Sequence, residues 1–290
     1  MADRKPPVNI GILAHVDGGK TTLTEQLLFA AGAIRQAGRV DDGSAHTDFM
    51  EIERRRGISV RAASAFYTWR GREVNIIDTP GHSDFSGEVP RAPRALDFAV
   101  LVVSAVEGVQ AQTELLWRAL ADSALPVVFF INKLDRAGAD AAAARLGIRE
   151  TLGGPPADAG DREALLEAVC ETDDALLEKY LEQGPESFSD EEFHAAFVRA
   201  FYERKIFPCV AGSALKGEGV SELLDLISQL ARDEDRSGGE LAGVIFKLEH
   251  DPALGRVAYV RLYSGLLRNR DLVRCGSDGA GCGGIFPLQG

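Results

Sequence analysis

The eight residues from Ala14 to Thr21, Ala-His-Val-Asp-Gly-Gly-Lys-Thr, constrain this chain more than any other stretch of its sequence. An apolar, β-branched run precedes them at Val8 to Ala14, and a helical pattern follows at Thr22 to Ala31. A strand, a glycine-containing loop and a helix in this order are typical of a phosphate-binding loop, here with alanine in place of the usual first glycine. Gly18 and Gly19 would let backbone amides face phosphate oxygens, and the helix N-terminus adds positive potential.

Oxygen and nitrogen side chains near this loop suit a nucleotide triphosphate with Mg²⁺. Lys20 is expected to reach the β- and γ-phosphates, and the Thr21 hydroxyl is expected to bind Mg²⁺. Asp78 follows the apolar run Val74 to Ile77, and at the carboxyl edge of a sheet it would hold Mg²⁺ through water. The Gly81 amide, three residues on, would meet the γ-phosphate.

His82 follows in the same segment, Asp-Thr-Pro-Gly-His. An isolated histidine in a turn would be interpreted as structural. Beside a phosphate loop the interpretation changes, because phosphoryl transfer to water needs a polar group that orients the water. His82 is therefore predicted to position the attacking water, with Lys20 as the second catalytic residue.

Apolar runs alternate with helical patterns over the first 231 residues, which predicts an α/β fold with a mostly parallel sheet and helices on both faces. The runs Phe98 to Val103 and Val127 to Ile131 are apolar throughout, as expected of central strands. A last strand and helix are predicted at Phe207 to Ala211 and Val220 to Ala231. Residues 153–206 interrupt this pattern as a predicted helical insertion, which holds 14 acidic and 5 basic residues between positions 155 and 205.

Two further segments point to the base that the site would take. Asn132-Lys133-Leu134-Asp135 follows one predicted strand, and Gly212-Ser213-Ala214-Leu215 follows another. A carboxylate such as Asp135 can accept both N–H groups of guanine, whereas adenine lacks that paired donor edge. The pattern therefore favours a GTPase over a P-loop kinase or ATPase.

These motifs together resemble those of a known family. The elements AHVDGGKTT, RGIS, NIIDTPGH, INKLD and GSAL resemble translational GTPases of the elongation factor G branch. The longer stretches NIIDTPGHSDFSGEV, EGVQAQTE, VVFFINKLDRAG, DDALLEKYL and RVAYVRLYSGLLRNRDLVR are most similar to the tetracycline-resistance ribosomal protection proteins. The resemblance runs from about Val8 to about Arg274. It implies Mg²⁺-dependent binding and hydrolysis of GTP to GDP at the bacterial ribosome, with ribosomal protection against tetracycline as a further expectation.

The resemblance also assigns roles to individual positions. Ser59 stands where the family has a threonine that binds Mg²⁺, and Val16 and Ile58 match an apolar gate before His82. The implied guanine-nucleotide contacts comprise Asp17, Gly18, Gly19, Lys20, Thr21, Thr22, Gly81, Asn132, Lys133, Asp135, Ser213, Ala214 and Leu215. The implied metal ligands are Thr21, Ser59 and, through water, Asp78.

Composition narrows the class of partner. The net charge of −12 disfavours broad binding to nucleic-acid phosphates, and no run approaches the roughly 20 apolar residues of a membrane span. We therefore predict neither DNA nor a membrane as a partner, and a cytoplasmic protein; the resemblance implies that its partners are ribosomal RNA and proteins. Four cysteines without a Cys-x-x-Cys pair are interpreted as reduced thiols. The basic run Arg54 to Arg56 is either a solvated loop or a contact to ribosomal RNA, and the acidic insertion is either a solvated surface or a docking site for a basic partner.

The predicted domains are a GTP-binding domain at residues 1–235 and the start of a translation-factor β-barrel domain at 240–290, with a loose glycine-rich end after Cys275. Three departures from the family leave a second interpretation open. Pro90 and Pro93 fall where a helix should continue, Ser59 replaces threonine, and family members extend through further domains. The alternative is a GTP-binding switch module or fragment with negligible hydrolysis and no drug displacement.

Overall fold

A seven-stranded sheet forms the centre of the computed structural model, which describes residues 6–36, 64–77, 92–233, 238–251, 255–275 and 278–281. The strand order is β2-β3-β1-β4-β5-β7-β6. Its strands are β1 (Val8–Ala14), β2 (Ser64–Trp69), β3 (Arg72–Ile77), β4 (Phe98–Ser104), β5 (Val127–Asn132), β6 (Pro156–Asp158) and β7 (Phe207–Ala211). All neighbouring pairs are parallel except β2 with β3. This confirms the predicted mostly parallel sheet.

Helices cover both faces of the sheet, as predicted. They are α1 (Lys20–Ala30), α2 (Ala111–Asp122), α3 (Ala141–Gly147), α4 (Arg162–Cys170), α5 (Asp174–Gln183), α6 (Asp190–Tyr202) and α7 (Val220–Gln229). Alternate residues of β4 face opposite sides, because successive side chains of a strand point to opposite faces. Val100 and Val102 pack in a cluster with α1, α4, α6 and α7, whereas Leu101 and Val103 pack with α2 and α3. None of the described helices is long and apolar enough to cross a bilayer.

The strands β4 and β5 are buried along their whole length, which confirms that they are central. Two edge strands, β2 and β6, were not predicted. The strand β6 lies within the segment interpreted as an insertion, and its residue Pro156 pairs with Phe207 at the rim of the sheet. Proline is tolerated there because an edge strand has a side on which no amide donor is needed. The insertion is therefore helical except for one strand that extends the sheet.

The rest of the insertion is helical, with a capping hydrogen bond at the start of α6 and an ion pair between α6 and α5. Ser189 caps α6 by accepting a hydrogen bond from the Glu192 amide at 3.1 Å. The Glu192 carboxylate accepts two hydrogen bonds from Lys179 Nζ, at 2.7 and 2.6 Å, and so links α6 to α5. On the apolar face of α6, Phe197 and Phe201 are buried against the main core. The acidic residues of the insertion thus remain mostly on its outer surface.

The C-terminal part of the described chain consists of two antiparallel hairpins. They pair β8 (Ala242–Asp251) with β9 (Gly255–Ser264), and β10 (Leu272–Cys275) with β11 (Asp278–Gly281). The first three strands lie in the segment that was predicted to begin a β-barrel domain. The strand β11 lies in the glycine-rich end, where no strand was predicted. Its sequence Asp-Gly-Ala-Gly has little intrinsic preference for a strand, and its hydrogen bonds with β10 stabilise the extended backbone. Closure into a barrel and the two-domain boundary remain predictions.

A buried polar chain joins the β8–β9 hairpin to the amino-terminal edge of the sheet. Arg261 of β9 donates to Asp97 Oδ1 at 2.7 Å, and both side chains are nearly buried. Asp97 Oδ2 accepts from the Asn9 amide at 2.8 Å, and Asn9 Nδ2 donates to the Ala95 carbonyl at 3.0 Å. Tyr263 Oη adds a 2.6 Å hydrogen bond to the Arg94 carbonyl. One carboxylate thus satisfies groups in both parts of the chain.

Removal of this carboxylate by Asp97→Ala should lower the free energy of unfolding by about 3 kcal/mol, because it leaves the Arg261 guanidinium buried without its partner. Urea unfolding measures the change. The matched control is Asp122→Ala at the exposed end of α2, which should stay within about 0.5 kcal/mol of wild type. Equal unfolding midpoints for both variants would contradict the assigned role of Asp97.

Candidate nucleotide-binding site

Four loops meet at the carboxyl-terminal edge of the sheet. They follow β1, β4, β5 and β7, which are neighbours in the strand order and run parallel. Ligands of open α/β sheets bind at this edge because the loops converge there. The motifs predicted for phosphate and guanine recognition follow β1, β5 and β7, so the fold brings them to one place.

The phosphate loop between β1 and α1 is tightly turned, and the Gly18 amide, which was expected to face phosphate, is already used inside the loop. The Gly18 amide donates to the His15 carbonyl at 3.0 Å, and Asp17 and Gly19 take left-handed conformations with φ of 61° and 98°. A side chain at Gly19 would place a Cβ atom 2.2 Å from Asn132 Nδ2, so only glycine fits. The helix α1 begins at Lys20, and the first amides of a helix have no intrahelical acceptor. These amides can receive an anion.

Asn132 connects the phosphate loop to the loop after β7. Its Nδ2 donates to the Gly18 carbonyl at 3.0 Å, and its Oδ1 accepts from the Ala214 amide at 2.9 Å. The side chain is buried, and its backbone carbonyl also accepts from the Ala105 amide at 2.8 Å. Asn132 therefore fixes the distance between two loops whose contacting residues lie 114 and 82 positions away from it in the sequence.

Asp135 and Ser213 lie together where a guanine base would be read. The Ser213 hydroxyl donates to Asp135 Oδ1 at 2.5 Å. This hydrogen bond is the main cause that lowers the pKa of Asp135 below its usual value. The carboxylate is thus ionised at neutral pH and has a second oxygen available as an acceptor.

The loop after β7 is tightly turned. The Ser213 amide donates to the Glu218 carbonyl at 3.0 Å, and a Cβ atom at Gly212 would lie 2.1 Å from that same oxygen. Ala214 is fully buried and its amide donates to Asn132, whereas Leu215 is exposed. Among the three residues implied to meet guanine, Ala214 thus has a role inside the protein as well.

A fourth contributor was not predicted from the sequence: the segment after β4, which comprises the loop before α2 and the first turn of α2. Gln112 Oε1 accepts from the Val16 amide of the phosphate loop at 2.8 Å. Lys133 Nζ donates to both carboxylate oxygens of Glu107, each at 3.1 Å. The signal was available in the stretch Glu-Gly-Val-Gln-Ala-Gln-Thr-Glu, which follows a predicted central strand at the same edge.

His15 is held on the inner side of the phosphate loop. Its Nδ1 lies 3.4 Å from Thr113 Oγ1, and its buried Nε2 has no hydrogen-bond partner within the described part of the chain. Burial is the main cause that lowers the pKa of His15, so the ring is neutral at pH 7. A neutral ring adds no charge beside the expected phosphates.

Several predicted site residues lie outside the described residues. They are the gate residue Ile58, the arginine run 54–56, the metal ligands Ser59 and Asp78, the γ-phosphate contact Gly81, the water-positioning His82, and Pro90. Pro93 lies in a single 3₁₀ turn, Ala92–Ala95, and the gate residue Val16 is exposed. Within the described residues no group of three or more His, Cys, Asp and Glu side chains could hold a metal, and of the predicted Mg²⁺ ligands only Thr21 is described.

Comparison with known proteins agrees with this geometry. Residues 5–233 match the family model of the elongation factor Tu GTP binding domain. Over 280 residues the chain is 43% identical to the tetracycline resistance protein TetW of Butyrivibrio fibrisolvens, a match that covers 92% of this chain and 44% of TetW. Over 282 residues it is 42% identical to TetO of Campylobacter jejuni, with the same two coverages.

A solved structure is similar as well. The crystal structure of a protein from Thermus thermophilus matches with a TM-score of 0.80 at 31% identity, and the match covers 95% of this chain and 48% of that one. The chain thus spans less than half the length of these relatives. The matches confirm the family resemblance and the P-loop fold predicted from the motifs.

Conversion of the Asn132 amide to a carboxylate by Asn132→Asp should lower the free energy of unfolding by about 2 kcal/mol. The new side chain cannot donate to the Gly18 carbonyl, and two acceptors would face each other in a buried site. The exposed Gln183→Glu at the end of α5 makes the same chemical change at the surface and should have almost no effect. Urea unfolding at pH 7 compares the two variants. Similar midpoints would count against the Asn132 clamp, which is the pair of side-chain hydrogen bonds from Asn132 to Gly18 and Ala214.

Proposed function

This chain belongs to the family of elongation factor Tu GTP-binding domains, and from that membership we propose that it binds GTP and hydrolyses it when it engages a bacterial ribosome. The observation that carries the proposal is the Asn132 clamp. It holds the loop that suits phosphates against the loop that suits guanine, as a site for one whole nucleotide requires.

In this proposal the two ends of the nucleotide are bound by different chemistry. The loop from Asp17 to Thr22 and the Lys20 ammonium receive the phosphates at the N-terminus of α1, where the first helical amides have no intrahelical acceptor. The Asp135 carboxylate accepts both N–H groups of guanine, while Asn132 and Lys133 complete the base site. The segment Ser213 to Leu215 forms its far wall. The left-handed backbone of Gly19 supports the first assignment, and the ionised state of Asp135 supports the second.

The residues proposed for Mg²⁺ are Thr21 and Ser59 directly and Asp78 through water. All offer oxygen, which is the ligand type that Mg²⁺ prefers. The partly buried Thr21 lies in the first turn of α1, next to the phosphate loop, and so fits this role. When bound, Mg²⁺ would offset negative charge on the β- and γ-phosphates.

His82 is proposed to orient the attacking water. The water oxygen attacks the γ-phosphorus, the bond from that phosphorus to the bridging oxygen breaks, and the products are GDP and inorganic phosphate. Lys20 stabilises the charge that develops on the leaving oxygen. Support comes from the family match, which spans residue 82 and both flanking segments of the sheet.

The relatives named TetW and TetO are tetracycline resistance proteins, so we further propose that a protein containing this chain acts in ribosomal protection in the cytoplasm. Its partners would then be ribosomal RNA and proteins, with neither DNA nor a membrane. The second candidate is a GTP-binding switch with negligible hydrolysis and no drug displacement. The observation favouring it is Ser59, which stands where the family has a threonine that binds Mg²⁺.

Phosphate release from GTP, measured with and without bacterial ribosomes, distinguishes the two candidates. Wild type should be stimulated by ribosomes, and His82→Ala should lose most of that stimulation because the water is no longer oriented, a loss of about 100-fold or more. The control His194→Ala changes an exposed histidine of α6 and should behave like wild type. Tight GTP binding without stimulation would favour the switch.

The pH dependence of GDP binding tests the Ser213–Asp135 pair. Asp135 accepts guanine only as a carboxylate, so affinity is present above its pKa and is lost as the pH falls through it. Because Ser213 lowers that pKa, Ser213→Ala should move the loss of affinity to higher pH. Titration with a fluorescent GDP from pH 4 to 8 measures this. The exposed Ser221→Ala is the control, and a shared pH profile would refute the pairing.

A further inference from the structure

Glu107 and Lys133 form an ion pair that no motif of the predicted site includes. Lys133 Nζ lies 3.1 Å from Oε1 and 3.1 Å from Oε2 of Glu107, so both carboxylate oxygens accept from one ammonium. The Lys133 side chain is only 13% exposed, whereas that of Glu107 is 43% exposed. The ammonium is thus held at the inner end of the pair, on the side of the nucleotide loops.

The backbone of Glu107 is fixed from the end of the central strand β4. The amides of Val106 and Glu107 both donate to the buried Ser104 Oγ at 3.2 Å, and the Gly108 amide donates to the Ser104 carbonyl at 2.9 Å. Gln110 Nε2 donates to the Glu107 carbonyl at 2.5 Å. Glu107 therefore projects from a small closed turn and not from a free loop.

Glu107 also keeps its charge. Its hydrogen bond with the Ser104 side chain is the main cause that lowers the pKa of the carboxyl, and Lys133 lowers it further. Arg118, on the following helix, pairs instead with Glu114. The Glu107 carboxylate is therefore ionised at neutral pH and directed to Lys133.

The backbone conformation of Lys133 is unusual and is fixed by neighbouring hydrogen bonds. Its φ of 70° is left-handed, an uncommon conformation for a residue with a Cβ atom. The following residues are tied by hydrogen bonds from the Leu134 amide to Gly212 and from the Arg136 amide to Lys133. These hydrogen bonds fix the backbone. The ion pair with Glu107 then fixes the direction of the flexible Lys133 side chain.

The same carboxylate also faces the phosphate loop. Glu107 Oε2 lies 4.0 Å from Nε2 of the buried His15, the residue whose carbonyl accepts from the Gly18 amide. The Glu107 side chain therefore lies between Lys133, in the loop after β5, and His15, in the phosphate loop after β1.

We propose that Glu107 is a positioning residue for the guanine nucleotide: it holds the Lys133 side chain in place along the base site. It does not touch the nucleotide and acts through Lys133. The inference rests on the proposed binding of guanine nucleotides. Loss of the carboxylate would leave a mostly buried ammonium without its acceptor, so that Lys133 samples other directions and the nucleotide dissociates faster.

The affinity of the full chain for fluorescent GDP, at low salt and with Mg²⁺, tests this role. Glu107→Gln removes the charge and should weaken binding about 10-fold, mainly by faster dissociation, in the range expected for a charge-assisted hydrogen-bonded pair. Glu114→Gln is the matched control, because Glu114 also pairs with one basic residue, Arg118, at 3.1 Å but on the exposed face of α2. Its affinity should equal that of wild type.

A double-mutant cycle separates positioning from general stabilisation. Lys133→Met should weaken GDP binding, and adding Glu107→Gln to it should weaken binding no further, because Glu107 acts through Lys133. Additive losses, or wild-type affinity in Glu107→Gln, would overturn the proposal. Glu107→Asp keeps the charge on a side chain one methylene shorter. It should bind with intermediate affinity, which provides the test even if Glu107→Gln does not fold.

The same experiment separates this proposal from the proposed function. If wild type binds GDP and the Glu107 variants bind equally well, positioning by Glu107 is wrong while nucleotide binding stands. If wild type does not bind GDP while urea unfolding shows it folded, the proposed function is wrong, and the positioning role is wrong with it.

Discussion

The site depends on the two hydrogen bonds of one buried amide. Asn132 donates to the phosphate loop and accepts from the loop after β7, so a single side chain at the end of β5 sets the spacing of both. An asparagine can do this because its amide offers a donor and an acceptor in one rigid plane. The requirement for glycine at position 19 follows from it, because the Asn132 amide occupies the space a Cβ atom would need.

The ionisable residues around this clamp are each held in one charge state by their surroundings. A neutral hydroxyl keeps Asp135 ionised, whereas the Glu107 carboxylate offsets the charge of Lys133. The buried His15 stays neutral. The N-terminus of α1 adds positive potential beside the loop that is proposed to receive phosphates.

The amino-terminal ends of the same strands contact the β8–β9 hairpin. Asn9 near the start of β1 and Asp97 just before β4 bind each other, and Asp97 also binds Arg261. The nucleotide loops and the hairpin contact therefore lie at the two ends of β1 and β4, whose other residues are almost entirely buried. The close packing of these strands makes the two ends parts of one rigid element.

The sequence by itself determined the central strands, the helices that follow them and the loops that carry the motifs, because each is encoded by residues close together in the chain. Apolar runs with β-branched residues predicted β4 and β5, and Gly18-Gly19-Lys20-Thr21 predicted the phosphate loop. Only the tertiary structure decided on β6 and β11, whose short or polar sequences become strands through their neighbours. The strand β2 was not predicted although its aromatic residues favour a strand. It alone also joined Glu107 to Lys133 and Gln112 to Val16, since a hydrogen bond between residues 26 or 96 positions apart exists only after the sheet has aligned their strands.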